Sequence, residues 1–344
     1  MRARTRFFLA AIVVIFAFRS ALAQTTLTMV TNAPGAFSNA IQEIADEFMK
    51  EHPDIRVEVI GIAHGGGWAG YFEAISVRIA GGSKIDIIRV PTEGQRLFDS
   101  AGMMIPLDRY LQSDEMAAFL DDVPPALLES LRYNGELYWL PFEFNTVVMH
   151  YNTSLVDEAG AAYPHDGWTR HDMLELARKI TADTNGDGIV DRYGVEVRPE
   201  GFAGYVQWIR AAGGDILDES WTRSRLNEPA TLEGLQYMRD LIWEHQVAPR
   251  IDDLGNYLFG NDRLGMYARG RWEVPGLLAS GFTHFDIQHF PLWEADAPLY
   301  GHFGMGANGI LRDSENPDAA WEFLKYLSSA ESLMKFLQAV PTGL

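Results

Sequence analysis

The sequence contains no cysteine among its 344 residues, so no disulfide framework can stabilise an exported form of the chain. The same absence excludes a cysteine nucleophile and a lipid attached to an N-terminal cysteine. Basic residues are also scarce, since 28 Lys and Arg stand against 47 Asp and Glu, for a net charge of −19. Such a surface repels phosphate groups, and we therefore expect neither nucleic acid nor a membrane surface as a partner.

Common catalytic motifs are missing as well. The chain has no G-x-S-x-G, no H-E-x-x-H and no glycine-rich phosphate loop, and its nine histidines do not fall at metal-ligand spacings. These absences argue against an enzyme. Paired carboxylates for glycoside hydrolysis remain compatible with so acidic a chain, which leaves a secreted carbohydrate-active hydrolase as an alternative.

Only the N-terminus carries a long apolar run. Residues 1–23 contain three arginines in "MRARTR", the 12-residue run "FFLAAIVVIFAF" and small residues before a cut after Ala23. This order predicts a cleavable secretory signal peptide, because an apolar run of that length is too short for a membrane anchor, which needs about 20 residues. We expect a soluble periplasmic protein.

The first part of the mature chain alternates between strand and helix patterns. "TLTMVT" (26–31), "IRVEVIGI" (55–62) and "IDIIRV" (85–90) read as strands, and the two segments between them show helical spacing of apolar residues. This order predicts βαβ units and a parallel sheet, in which ligands lie beyond the carboxyl ends of the strands. Those ends are followed by residues 32–37, 65–71 and 89–94.

The rest of the chain predicts a second α/β unit. An Asn-Gly hairpin turn at 134–135 precedes a long extended run at 142–152. Helices are expected after Thr169 as N-cap, at 202–214 and at 231–245, followed by short strands and one final helix within 316–338. We predict two α/β lobes joined by extended crossing segments rather than by a flexible tether.

Several stretches, in this order, resemble the extracellular solute-binding proteins of ABC importers, in the sugar-binding family typified by maltose-binding protein. The stretches are "IDIIRV…AGMMIPLDRYL", "YNGELYWLPFEFNTVVMHYNTSLVDEAG", "GWTRHDMLELARKITADTNGDGIVDRYGV", "RLGMYARGRWEVPGL" and "GANGILRDSENPDAAWEFLKYLSSAESLMKFL". The resemblance implies a two-lobed periplasmic-binding-protein fold with a hinge and an interlobe ligand cleft.

The family's architecture implies boundaries for this chain. The first lobe would take residues 24–145, the second 146–300, and residues 301–344 would form the return crossing and a helix packed on the first lobe. The resemblance also implies further C-terminal helices after "AVPTGL", so we expect either a truncated chain or a reduced second lobe. Closure around the ligand would be a hinge motion, with the closed form recognised by the importer's permease.

The ligand implied is a carbohydrate, which needs aromatic rings for its C–H faces and carboxylates, amides or arginine for its hydroxyls. The resemblance places a stacking tryptophan at Trp272, polar contacts at Glu93 and Asn145, and a cleft-facing aromatic at Tyr205 or Trp208. Arg271 is a candidate as the neighbour of Trp272, and strand ends and crossings supply the others. The expected ligand-binding residues are Asn32, Phe37, Trp68, Tyr71, Glu93, Glu143, Asn145, Tyr205, Trp208, Arg271, Trp272, Gly304 and Met305. We predict a monomeric binding protein that requires no cofactor. An acidic cleft would also suit a polyamine.

One acidic loop resembles a calcium site. In "DTNGDGIVDRYG" (183–194), oxygen ligands would come from Asp183, Asn185, Asp187 and Asp191. An EF-hand loop needs a glutamate at position 12, which here is Gly194, and the following segment reads as a strand rather than a helix. Either a structural turn or a bound structural calcium fits this pattern, and both place the loop outside the cleft.

Overall fold

The computed structural model describes residues 24–340, except 33, 64–66, 200 and 257. The predicted signal peptide, residues 1–23, lies outside the described residues. In the described part of the chain, none of the helices combines the length and the apolar character that a membrane crossing requires.

The chain begins with three strands and two helices in alternation, as predicted. Its elements up to the long crossing strand are β1 (Thr25–Thr31), α1 (Ala36–Glu51), β2 (Ile55–Gly61), α2 (Gly67–Ala80), β3 (Ile87–Pro91), α3 (Thr92–Ser100), α4 (Asp114–Asp122), α5 (Pro125–Ser130), β4 (Arg132–Tyr133), β5 (Glu136–Leu137) and β6 (Leu140–Asn152). Asn134 and Gly135 have positive φ angles of 51° and 85°, which confirms the Asn-Gly turn between β4 and β5.

The remaining elements form the second unit and the return. They are α6 (Thr153–Glu158), α7 (Arg170–Ile180), β7 (Tyr193–Val195), α8 (Phe202–Ala211), α9 (Pro229–Trp243), β8 (Leu264–Gly270), α10 (Val274–Ala279), β9 (Phe285–Gln288), β10 (Phe303–Ile310), α11 (Pro317–Leu327) and α12 (Ala330–Ala339). Thr169 caps α7 in a capping box with Asp172, as its sequence predicts.

The predicted single C-terminal helix is wrong. Residues 316–338 instead form α11 and α12, which are separated at Ser328 and Ser329. The Ser329 hydroxyl accepts a hydrogen bond from the backbone N–H of Ser332 and so caps a new helix start. The break turns α12 so that Phe336 packs on Phe37 and Phe142, with ring centroids 4.9 and 4.8 Å apart.

One long strand connects the two parts of the molecule. The strand order is β2-β1-β3-β10-β6-β8-β7, with β9 also paired to β6. The first half of β6 pairs with β10, and its second half, from Val147 onward, pairs with β8 and β9. The chain therefore crosses at β6 and returns at β10, so these two strands are the segments about which the two parts would hinge.

The hydrophobic cores lie on either side of this crossing. Two buried clusters contain only residues from 27–142 and 305–340, and we call this part the first lobe. Two further clusters contain only residues from 147–293, and we call this part the second lobe. Among the described residues, no buried cluster extends across the crossing, which leaves the space between the lobes for a cleft.

Candidate functional site

A cavity of about 450 Å³ lies between the lobes where β3, β6 and β10 meet. It opens beyond the carboxyl ends of β1 and β3, where parallel sheets hold their ligands. Its lining residues are Asn32, Phe37, Trp68, Arg89, Pro91, Glu93, Glu143, Asn145, Ala203, Trp272, His302, Gly304, Met305 and Gly306. The cavity thus combines aromatic rings with amide, carboxylate and guanidinium groups.

Arg89, Glu143 and Asn145 form what we call the floor of this cleft. Arg89 contacts several of its neighbours there. Its guanidinium donates to the Oδ1 atom of Asn32 and to the Oε1 atom of Glu143, and it lies 4.6 Å from the centroid of the Phe37 ring. Arg89 and Glu143 are both buried, with side chains 4% and 8% exposed. Because a buried charge is costly unless it is paired, this ion pair joins β3 to the crossing strand β6.

Gly306 provides the space in which Arg89 reaches Glu143. Gly306 lies opposite Glu143 on β6 and opposite Pro91 on β3. A Cβ atom at this position would lie 2.0 Å from the Nη2 atom of Arg89, so any larger residue would displace the guanidinium. Gly304 similarly lies opposite Asn145.

Glu93 and His302 form a second polar pair at the cleft. Glu93 lies in the first turn of α3, and its Oε1 atom lies 3.9 Å from the Nε2 atom of His302 on the return crossing. Burial raises the pKa of Glu93, whereas burial and the nearby Arg210 charge lower the pKa of His302 to about 4. The histidine is therefore neutral near pH 7 and contributes no positive charge to the site.

Trp272 faces the first lobe from the second. The side chains of the three residues after β8 point to different places. Trp272 lines the cleft, whereas Arg271 lines a separate cavity with Phe144. Glu273 lies near Arg269. A Cβ atom at Gly270 would lie 1.9 Å from the Trp272 ring, so the ring occupies space that only glycine leaves. Trp272 is 39% exposed, as a ring available for stacking should be.

A contact outside the set of cleft-lining residues also connects the lobes. The Arg96 guanidinium on α3 lies 5.3 Å from the centroid of the Tyr133 ring and 5.1 Å from that of Trp221 in the second lobe. Trp221 is exposed and has a positive φ of 60°, a conformation in which tryptophan is uncommon. This contact adds a cation–π interaction to the lobe boundary.

The structure brings nine of the expected ligand-binding residues to the cleft and places four elsewhere. The four exceptions are Tyr71, Tyr205, Trp208 and Arg271. Tyr71 is buried beneath the cleft, where its hydroxyl donates to the Arg89 carbonyl at 2.7 Å. Trp208 is buried in the second lobe, its ring centroid 4.8 Å from that of Phe290. These two rings are core residues, and the expectation that they contact ligand is corrected.

Tyr205 and Arg271 also lie away from the cleft. Tyr205 packs against the core of the second lobe, because helical spacing directs its face of α8 inward. Arg271 lines a cavity of about 210 Å³ with Phe144, Thr146 and Ile287. Asn145 lines both this cavity and the cleft, whereas Arg271 lines this cavity and not the cleft, so Arg271 lies beside the predicted site rather than within it.

The sequence analysis selected neither Arg89 nor His302 as a ligand-binding residue, although Arg89 begins the range 89–94 expected at a strand end. A signal for Arg89 was present, because a lone arginine within the apolar strand "IDIIRV" must find a buried partner. Its partners lie 57 and 54 residues away, at Asn32 and Glu143, and no local pattern identifies them. His302 lies at the start of the return crossing and carries no motif.

The acidic loop is organised by its own backbone. The Asp183 carboxylate accepts hydrogen bonds from the N–H groups of Gly186 and Gly188, both at 2.7 Å, and the Gly188 contact contributes most to the lowered pKa of Asp183. Asp191 accepts from the N–H and hydroxyl of Thr184, each at 2.8 Å. In the described part of the chain, no three His, Cys, Asp or Glu side chains are grouped as metal ligands.

Comparisons with known proteins agree with this architecture. Residues 35–334 match the profile of the bacterial extracellular solute-binding proteins. A maltotriose-binding protein of Pyrococcus abyssi is 24% identical over 308 residues, which cover 86% of this chain and 61% of that protein. This chain therefore spans less than two thirds of that relative's length.

Solved structures superpose closely on the fold. An ABC substrate-binding protein of Listeria monocytogenes in complex with cycloalternan gives a TM-score of 0.79 at 26% identity, covering 93% of this chain and 79% of that one. A maltose/maltodextrin-binding domain of Bdellovibrio bacteriovorus bound to maltotriose gives 0.75 at 22% identity, covering 93% and 80%. The expected two-lobed periplasmic-binding-protein fold is confirmed, and the chain belongs to the bacterial extracellular solute-binding protein family.

Proposed function

We propose that this protein captures a carbohydrate in the interlobe cleft and delivers it to an ABC importer, without chemical change to the ligand. The observation that carries the proposal is the pairing of an exposed ring, Trp272, with a buried polar floor formed by Arg89, Glu143 and Asn145. Rings cover the C–H faces of sugars, and fixed polar groups take their hydroxyls. A relative named as a maltotriose-binding protein and a similar solved structure in complex with cycloalternan support this ligand class.

Capture would couple to hinge closure. In the described part of the chain, β6 and β10 connect the lobes, and side-chain contacts such as Arg96 with Trp221 and Phe202 with His302 join them. A ligand contacting both sides of the cleft would therefore stabilise their closed arrangement. We therefore also propose that the protein works in the periplasm and that it binds the permease of an importer. The family's extracellular character supports this location.

Trp272→Ala is expected to weaken oligosaccharide binding by about 30-fold, because the ring supplies the largest apolar contact of the second lobe. The free energy of unfolding should change by less than about 1 kcal/mol, since the ring is partly exposed. Calorimetric titration with maltotriose, cellotriose and galactotriose measures the affinity. The matched control is Trp243→Ala, which removes an exposed tryptophan of α9 away from the cleft and should leave affinity unchanged.

A second variant tests whether affinity depends on the position of the Trp272 ring and not only on its presence. Gly270→Ala retains Trp272 but places a methyl group against its ring, so we expect a similar loss of affinity. Unchanged affinity in both variants would remove Trp272 from the site. Release of shorter saccharides during the titrations would instead support a hydrolase, for which Glu93 and Glu143 offer two carboxylates in the cleft.

The acidic loop is assigned no part in capture. We propose that it is a turn in the second lobe, with calcium binding as the alternative. Because its carboxylates already accept backbone N–H groups, EDTA or excess calcium should leave the midpoint of thermal unfolding unchanged. A midpoint that rises with calcium and returns to its starting value in Asp183→Asn would show instead that the loop binds the ion.

A further inference from the structure

The floor of the cleft contains more unpartnered acceptors than donors. Among the described lining residues, the buried side-chain atoms without a hydrogen-bond partner are the Oε2 atoms of Glu93 and Glu143, the Oδ1 atom of Asn145 and the Nε atom of Arg89. Three of these four atoms are acceptors. Buried acceptors are unfavourable when unpaired, so the ligand that fills the cleft is required to donate hydrogen bonds to them.

The charged residues that line the cleft also favour a ligand that donates hydrogen bonds. Arg89 is the one arginine or lysine among the described lining residues, and Glu143 already neutralises it. Among the described residues, Glu93 forms no ion pair with a lysine or arginine, and burial keeps its neighbour His302 neutral near pH 7. The Arg89 charge lowers the pKa of Glu93 less than burial raises it. An anionic group entering this cleft would lose its water and meet a carboxylate instead of a free cation.

We propose that the cleft selects a saccharide presenting clustered hydrogen-bond donors, either hydroxyl or ammonium groups, and rejects saccharides that carry carboxylate or phosphate groups. The donors would be shared among Glu93, Glu143 and Asn145. This inference rests on the proposed function, since it specifies the class of carbohydrate for the same site. It concerns selectivity, so it can fail while carbohydrate binding itself holds.

The test uses chemically matched ligands on the full mature protein. Maltotriose, cellotriose and galactotriose are titrated calorimetrically near pH 7, and each one that binds is compared with its C6-carboxylate and C6-amino derivatives. We expect the carboxylate form to bind at least about tenfold more weakly than the neutral form, because it meets an unpaired Glu93. Tighter binding of the amino form would identify ammonium as the preferred donor, and equal or weaker binding would identify hydroxyl.

A charge variant tests the cause of the selectivity. Glu143→Gln releases Arg89 from its partner, so it should reduce the discrimination against the carboxylate form by about tenfold. Glu244→Gln removes the same charge at the exposed end of α9 and should leave the discrimination as in the wild type. If Glu143→Gln does not fold, as judged by circular dichroism, Glu93→Gln removes the unpaired carboxylate and should act in the same direction.

The titrations distinguish failure of the proposed selectivity from failure of the proposed carbohydrate capture. Carboxylate and neutral forms that bind the wild type equally would overturn the proposed selectivity and leave carbohydrate capture intact. So would a glutamine variant that folds and keeps the wild-type discrimination. Absence of binding by all three neutral trisaccharides and their derivatives would overturn the proposed function, and with it this inference.

Discussion

Arg89→Met is expected to lower the free energy of unfolding by about 3–5 kcal/mol, because it leaves the buried Glu143 carboxylate without its partner. Asn32 loses its hydrogen-bond donor, and Phe37 loses the cation over its ring. Domains are stable by only about 5–15 kcal/mol in total, so this loss is large. Urea unfolding monitored by tryptophan fluorescence measures it.

The double variant Arg89→Met with Glu143→Leu tests the cause. It removes both charges from the floor, so we expect it to recover most of the stability lost by Arg89→Met alone. Arg56→Met is the matched control, because Arg56 pairs with Glu58 on the exposed surface of β2 and should contribute less than about 1 kcal/mol. Equal losses in Arg89→Met and Arg56→Met would show that the buried pair does not stabilise the cleft.

Acidification is expected to destabilise the protein through two buried histidines. His150 lies on β6 with its ring centroid 5.1 Å from that of Tyr267, and His302 packs against Phe202 at 5.2 Å. Burial lowers the pKa of each to about 4. The unfolded chain binds these protons near pH 6.5 and the folded chain only near pH 4, so stability falls as the pH drops between those values.

Each histidine should contribute a loss of about 2 kcal/mol between pH 7 and pH 4.5. Asp99 acts in the opposite direction, because burial raises its pKa to about 6 and the folded chain then binds its proton first. The effect of the histidines is therefore isolated with His150→Phe and His302→Phe, which should each reduce the acid-induced loss. Histidine resonances that all titrate near pH 6.5 in folded protein would contradict the prediction.

Local patterns predicted most of the elements but few of the cleft contacts. Thr169 and Asp172 are three residues apart and specify a helix start, and Asn134 with Gly135 specifies a turn, because these interactions involve only neighbouring residues. The break at Ser328 and Ser329 was missed because apolar spacing continues through it. A serine cap outweighed that periodicity locally.

The aromatic residues show where sequence reasoning stopped. Trp208 and Trp272 are both tryptophans in apolar surroundings, yet one fills a core and the other faces the cleft. Their resemblance-based assignments were alike in kind. The difference depends on Gly270, which leaves room for the Trp272 ring, and on Phe290, which covers Trp208. Both neighbours are set by strand and helix packing.

The sequence by itself determined the alternation of strands and helices, the acidic surface and the order of segments that resembles the family, because composition and short-range periodicity encode them. Only the tertiary structure decided that Arg89 joins Asn32 and Glu143, that Gly306 leaves room for that pair, and that Trp272 faces it from the other lobe. These contacts join residues far apart in the chain. They form only when separate apolar faces pack together, and a local sequence pattern does not specify which faces will pack.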